Sequence, residues 1–89
     1  MNAFVGMDVQ AVRTLAQQLT SDAEEIDQIA AKLSSQLDGT QWVGTDATSF
    51  RDSWHGSYRQ QLATVVNALR DAATAATNNA NQQEQASAN

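Results

Sequence analysis

Cysteine and proline are absent from this 89-residue chain, glycine occurs four times, and the aromatic complement is two Trp, two Phe and one Tyr beside a single His. Without cysteine there is neither a disulfide framework nor a thiolate metal site. Missing proline and scarce glycine remove the residues that interrupt helices and close tight turns, which argues for long helices and against an all-β fold. Positive charge is also scarce: Arg13, Lys32, Arg51, Arg59 and Arg70 stand scattered against ten acids, for a net charge of −5. No basic patch can form for nucleic-acid phosphates, and acidic polar faces do not suit helices that lie on membranes, so neither partner is expected. No apolar run is long enough to span a bilayer, and the first twenty residues lack the apolar core of a secretory signal peptide. The chain is expected to be made in the cytoplasm and to leave it, if at all, by a route that needs no cleaved leader.

What the sequence does contain is a seven-residue apolar repeat. Val9, Ala16, Ala23, Ala30 and Leu37 occupy one position of it, and Val12, Leu19, Ile26 and Leu33 another. This is the pattern of a coiled-coil seam, with alanines that permit close approach of a second helix and larger aliphatics that fill the space beside them. Leu15 and Ile29 add a flanking apolar edge, so the stripe is wider than one partner helix covers. Asp8 offers an N-cap oxygen, and Met7 with Val12 fits a hydrophobic staple, which starts the first helix at residue 8.

Asp38-Gly39-Thr40 should end that helix, with Gly39 in the left-handed conformation common just past a helix C-terminus. Trp42-Val43-Gly44 follows as a bend, and Thr45 or Asp46 can cap a second helix. In that helix Ala47, Phe50, Trp54, Tyr58, Leu62, Val65, Leu69, Ala72 and Ala76 recur at a spacing near 3.6, aromatic close to the bend and aliphatic beyond it. Gly56 interrupts the pattern at a cost of about 1 kcal/mol relative to alanine, either tolerated on a solvent face or marking the close approach of a partner. The expected organisation is an all-α antiparallel hairpin: a leader over 1–7, helix 8–38, turn 39–45, helix 46–77, and a polar tail over 78–89 that is frayed or disordered.

Six acids (Asp8, Asp22, Glu24, Glu25, Asp27, Asp38) against Arg13 and Lys32 leave the first helix at −4, whereas the second is balanced. Folding the hairpin about residue 42 sets Glu25 opposite Arg59 and Asp71 opposite Arg13, exposed pairs worth about 0 to 1 kcal/mol each.

Chemistry finds little to build on. His55 has no second histidine or cysteine to work with, and the acids at 22, 24, 25 and 27 lie on a helix rather than in an oxygen-rich loop that would hold calcium. No Gly-x-Ser-x-Gly elbow or glycine-rich phosphate cradle occurs. No enzyme activity, cofactor or metal is expected.

A lone hairpin of this size cannot enclose Phe50, Trp54 and Tyr58 together with the whole aliphatic seam. A second hairpin would, giving a four-helix bundle by dimerisation. The expected core and interface comprise Val12, Leu15, Leu19, Ile26, Ile29 and Leu33 of the first helix with Phe50, Trp54, Tyr58, Leu62, Val65 and Leu69 of the second.

Trp42-Val43-Gly44 at mid-chain, the small Ala47, Phe50 one turn later and Trp54 beyond it together make residues 7–77 resemble the WXG family, the Esx or early-secreted-antigen-like small substrates of type VII secretion. The resemblance implies a hairpin that pairs with itself or with a paralogous WXG protein, leaves Gram-positive cells folded, and is recognised by a membrane-bound type VII secretion ATPase. It also implies that Trp42, Val43 and Gly44 form the bend and contribute to an export surface. The chain departs from the family pattern in lacking Tyr-x-x-x-Asp/Glu after the second helix; its one tyrosine, Tyr58, is followed by Leu62 where the acid would stand. Two functional expectations result: a secreted helical-hairpin substrate or effector partner acting by protein–protein contact, or an intracellular coiled-coil adaptor or structural module.

Overall fold

Two helical rods run antiparallel along a molecule 66 × 17 × 15 Å in extent, and the computed structural model describes residues 7–88. Most of the leader therefore lies outside the described residues. The first rod, α1 (Val9–Gly39), begins where the Asp8 carboxylate accepts a hydrogen bond from the Ala11 N–H at 3.0 Å, so the expected cap forms. The second rod is α2 (Thr45–Ser53), one π-helical turn (Trp54–Tyr58) and α3 (Arg59–Ala88) joined end to end. Among the described residues no helix is long and apolar enough to cross a membrane.

The rods meet along small side chains. Ala16, Ala23 and Ala30 of α1 are buried, and so are Val66, Ala73 and Ala80 of α3, each set at seven-residue intervals. Small residues at a contact let helix axes approach to about 8 Å, which the alanine repeat anticipated on α1. On α3 the inward positions are not those expected. A constant 3.6-residue spacing predicts a stripe through Val65, Ala72 and Ala76, but Val65 is exposed and Val66 is the buried neighbour. The reason is the π turn: the Arg59 N–H bonds to the Trp54 carbonyl five residues back, which inserts one residue and rotates everything beyond it by about 100°.

Trp54 lies toward the bend end of this seam, seven residues after the buried Ala47 of α2. Its indole N–H donates to the Ser34 hydroxyl at 2.9 Å, and that hydroxyl donates to the Ala30 carbonyl at 3.1 Å, so both buried polar groups are satisfied. Trp54 therefore belongs to the contact within the hairpin, whereas Phe50 and Tyr58 stay exposed.

Three further expectations are corrected. The helix does not end near Thr77 but runs to Ala88: Ala80 is fully buried, and Arg13 donates to Asn81 at 2.9 Å and Glu84 at 3.1 Å. Alanine, glutamine and glutamate are good helix formers, and α1 offers them a surface. Second, the pairs Glu25–Arg59 and Asp71–Arg13 do not form; Arg70 instead reaches Glu24 and Asp27, both at 3.3 Å. The register differs by about three turns because the connecting segment, extended at Thr40 (φ −95°, ψ 133°), advances farther per residue than a helix. It carries the chain past the end of α1, and α2 must descend before its residues are level with that end. Third, Gly39 is the last residue of α1 without positive φ, and neither Thr45 nor Asp46 caps α2; Gly44 does, without a side chain.

Replacing Ser34 by alanine orphans the buried indole N–H. It should cost about 1 to 3 kcal/mol in urea unfolding, offset by about 0.5 kcal/mol of alanine's helix propensity. In the Trp54→Phe background the same replacement should cost little, and equal costs in both backgrounds would show that the hydrogen bond contributes nothing.

Candidate interaction surface

The bend is built from carbonyls left over at the end of α1. That helix has no glycine in a left-handed cap and no basic residue in its last turn, so its terminal carbonyls need donors from elsewhere. The Thr40 hydroxyl serves the Gln36 carbonyl at 2.6 Å. Arg51, on α2, serves Leu37 and the connecting segment: Nε and Nη2 donate to the Leu37 carbonyl at 3.0 and 2.9 Å, Nη2 also to Thr40 at 2.8 Å, and Nη1 to Trp42 at 2.7 Å. The guanidinium carbon also stands 5.8 Å from the centre of the Trp42 ring, within cation–π range.

Gly44 turns the chain into α2 at φ 126° and ψ 176°, a region that residues with a Cβ scarcely enter. Its carbonyl accepts the first helical bond, from the Thr48 N–H at 3.1 Å. Val43, before it, is 85 % exposed, and Trp42 is nearly half exposed. The motif singled out in the sequence thus does two things: Gly44 makes the corner, and Trp42 and Val43 are displayed beside it. On the other flank the His55 imidazole Nε2 lies 3.0 Å from Asp38 Oδ1, tying the π turn to the last turn of α1.

From the bend a strip of apolar side chains continues down one side of the hairpin. The Trp42, Phe50 and Tyr58 rings form a ladder with centroid spacings of 6.3 and 6.4 Å. Below them Val65 on α3 and Leu15, Ile29 and Leu33 on α1 are exposed, with Val12, Leu19, Ile26, Leu62 and Leu69 half-buried between them. The ion pairs Arg13–Glu84 and Arg70–Glu24/Asp27 run along the opposite flank of the seam, so one flank is charged and the other apolar. The acids at 22, 24, 25 and 27 are all exposed, and two of them serve Arg70. Among the described residues no cluster of three His, Cys, Asp or Glu is placed to hold a metal ion.

Of the residues anticipated for the interface, eleven positions from Val12 to Leu69 lie on this open flank or its edge, and Trp54 alone turns inward. Sequence reasoning missed Arg51, Ser34 and the His55–Asp38 contact, because each pairs residues far apart in the chain and depends on the register. Ser34 carries no signal of its own in the sequence, because it falls in the polar seven-residue series Arg13, Thr20, Asp27 and Ser34. No family model, characterised protein or solved structure matches this chain.

Three glycine replacements separate the corner from the helices. A Cβ at Gly39, Gly44 or Gly56 would meet no atom within 4 Å, so any difference comes from the backbone alone. Gly44→Ala should lower stability by about 1 to 3 kcal/mol, while Gly39→Ala and Gly56→Ala should be neutral or raise it by up to about 1 kcal/mol. Thermal unfolding of the three variants ranks them directly.

Proposed function

We propose that this protein is a small helical-hairpin secretion substrate or effector partner of the WXG, Esx-like kind, acting by protein–protein contact and without catalysis. The observation that carries the reading is the bend: a glycine in a conformation closed to other residues, beside a tryptophan and a valine held out to solvent. In this reading the bend is the feature that a type VII secretion ATPase recognises, and the protein is exported folded.

The open apolar flank supports the second part of the reading, a partner hairpin. No large side chain among the described residues is fully buried, and the seam consists mainly of alanines, so the hairpin alone removes little apolar surface from water. A second hairpin, either another copy or a paralogue, laid on Leu19, Ile26, Leu62 and Leu69 would complete a four-helix bundle. Burying those side chains at about 25 cal/mol per Å² of apolar surface would couple folding to association.

Two measurements test this. Deleting the secretion ATPase should keep the protein in the cell, and Trp42→Arg should reduce export while far-UV circular dichroism stays unchanged; export that survives the deletion removes the secretion reading in favour of an intracellular adaptor. Leu19→Asp or Ile26→Asp should weaken assembly by about a hundredfold or more, since each buries an unpaired charge. Light scattering at micromolar concentration reads this, and a monodisperse helical monomer of the unaltered chain defeats the bundle.

A further inference from the structure

The connecting segment poses a physical problem that the bend motif does not solve. Residues 40–43 are irregular, and the one hydrogen bond the backbone makes within them runs from the Trp42 N–H to the Thr40 carbonyl at 2.9 Å. An exposed tryptophan on so short and poorly bonded a segment would ordinarily sample several orientations. Here it does not stand alone, because the Thr40 carbonyl, the Trp42 carbonyl and the Trp42 ring all contact one side chain.

We infer that Arg51 is a positioning residue: its guanidinium fixes the connecting segment against the end of α1 so that Trp42 is displayed in a single, preformed orientation. Three features of the geometry carry this. The fork spans three carbonyls, those of Leu37, Thr40 and Trp42, and so ties the end of α1, the start of the connection and the tryptophan's own backbone to α2. The same group lies against the Trp42 ring, with Phe50 as the ring's other aromatic neighbour at 6.3 Å, so backbone and side chain are restrained together. Arg51 makes these contacts from the turn of α2 directly above Trp54, whose bond to Ser34 anchors that helix to α1. A loop held in this way docks without the ordering cost that a mobile one meets at the moment of binding.

The role of Arg51 rests on the reading of the bend as a recognition surface only in its consequence, not in its geometry, so the two are tested apart. The full chain, labelled with ¹⁵N, gives separate indole signals for Trp42 and Trp54. In Arg51→Gln the Trp42 backbone amide should lose protection against hydrogen exchange by about tenfold, the net worth of one hydrogen bond, and the Trp42 indole signal should move or broaden while that of Trp54 stays in place. Arg51→Lys should not restore it, because a point charge cannot reach three divergent carbonyls. A Trp42 that stays as protected and as sharp in Arg51→Gln as in the unaltered chain overturns the inference, and full rescue by lysine overturns the role of the fork. If Arg51→Gln loosens Trp42 and also lowers export as Trp42→Ala does, the preformed display is supported. If Trp42→Ala lowers export but a loosened Arg51→Gln does not, preorganisation is overturned. Normal export of both variants removes the recognition reading, and the positioning of Trp42 then stands on the resonance data.

Discussion

Alanine packed against a facing helix is the constraint from which the rest of this molecule follows. With Ala16, Ala23 and Ala30 on one rod and Val66, Ala73 and Ala80 on the other, the two backbones approach closely, and bulky residues are displaced to the sides of the contact. The displaced groups cannot fall evenly on both flanks. One receives Arg13, Glu24, Asp27, Arg70 and Glu84, which pair across the seam, and the other receives the large aliphatics and two of the aromatics. A seam of this kind gives a well-defined register and little hydrophobic burial, so the same feature that makes the hairpin specific leaves it with an uncovered apolar side.

The bend resolves the mismatch between the two rods. The α2 to α3 rod is longer than α1, and the connecting segment has to climb beyond the end of α1 before α2 can return. Gly44 permits the corner, Arg51 satisfies the carbonyls stranded on the way, and Trp54 with Ser34 joins the rods just below. These contacts depend on one another: a different register would carry Arg51 away from Leu37 and leave the indole of Trp54 unpaired. The π turn at Trp54 rotates α3 so that Trp54 and the alanine-rich remainder of the rod can both face α1.

Display at the bend and exposure along the flank give the hairpin two adjoining surfaces, linked by the Trp42, Phe50 and Tyr58 rings. In the proposed function the broad apolar flank takes a second hairpin, and the small bend with its aromatic ring is what a different partner recognises.

Much of this was legible in the residues themselves. The heptad of α1 gave a long helix with an alanine face, Asp8 gave its start, the absence of proline gave uninterrupted rods, and Trp42-Val43-Gly44 gave the place of the bend. All of these are local: they follow from side-chain size, spacing and backbone preference within a few residues. Register was not local. The pairing of Arg13 with Glu84 instead of Asp71, the burial of Val66 instead of Val65, the ordering of the segment after Thr77 and the convergence of Arg51 on three carbonyls all depend on how far the connecting chain travels and on one residue inserted at a π turn. Sequence alone determined that there would be two amphipathic helices and a corner between them. Which residues face each other was decided by the tertiary structure, because sliding or rotating two helices against one another changes every long-range contact while leaving each helix's own pattern untouched.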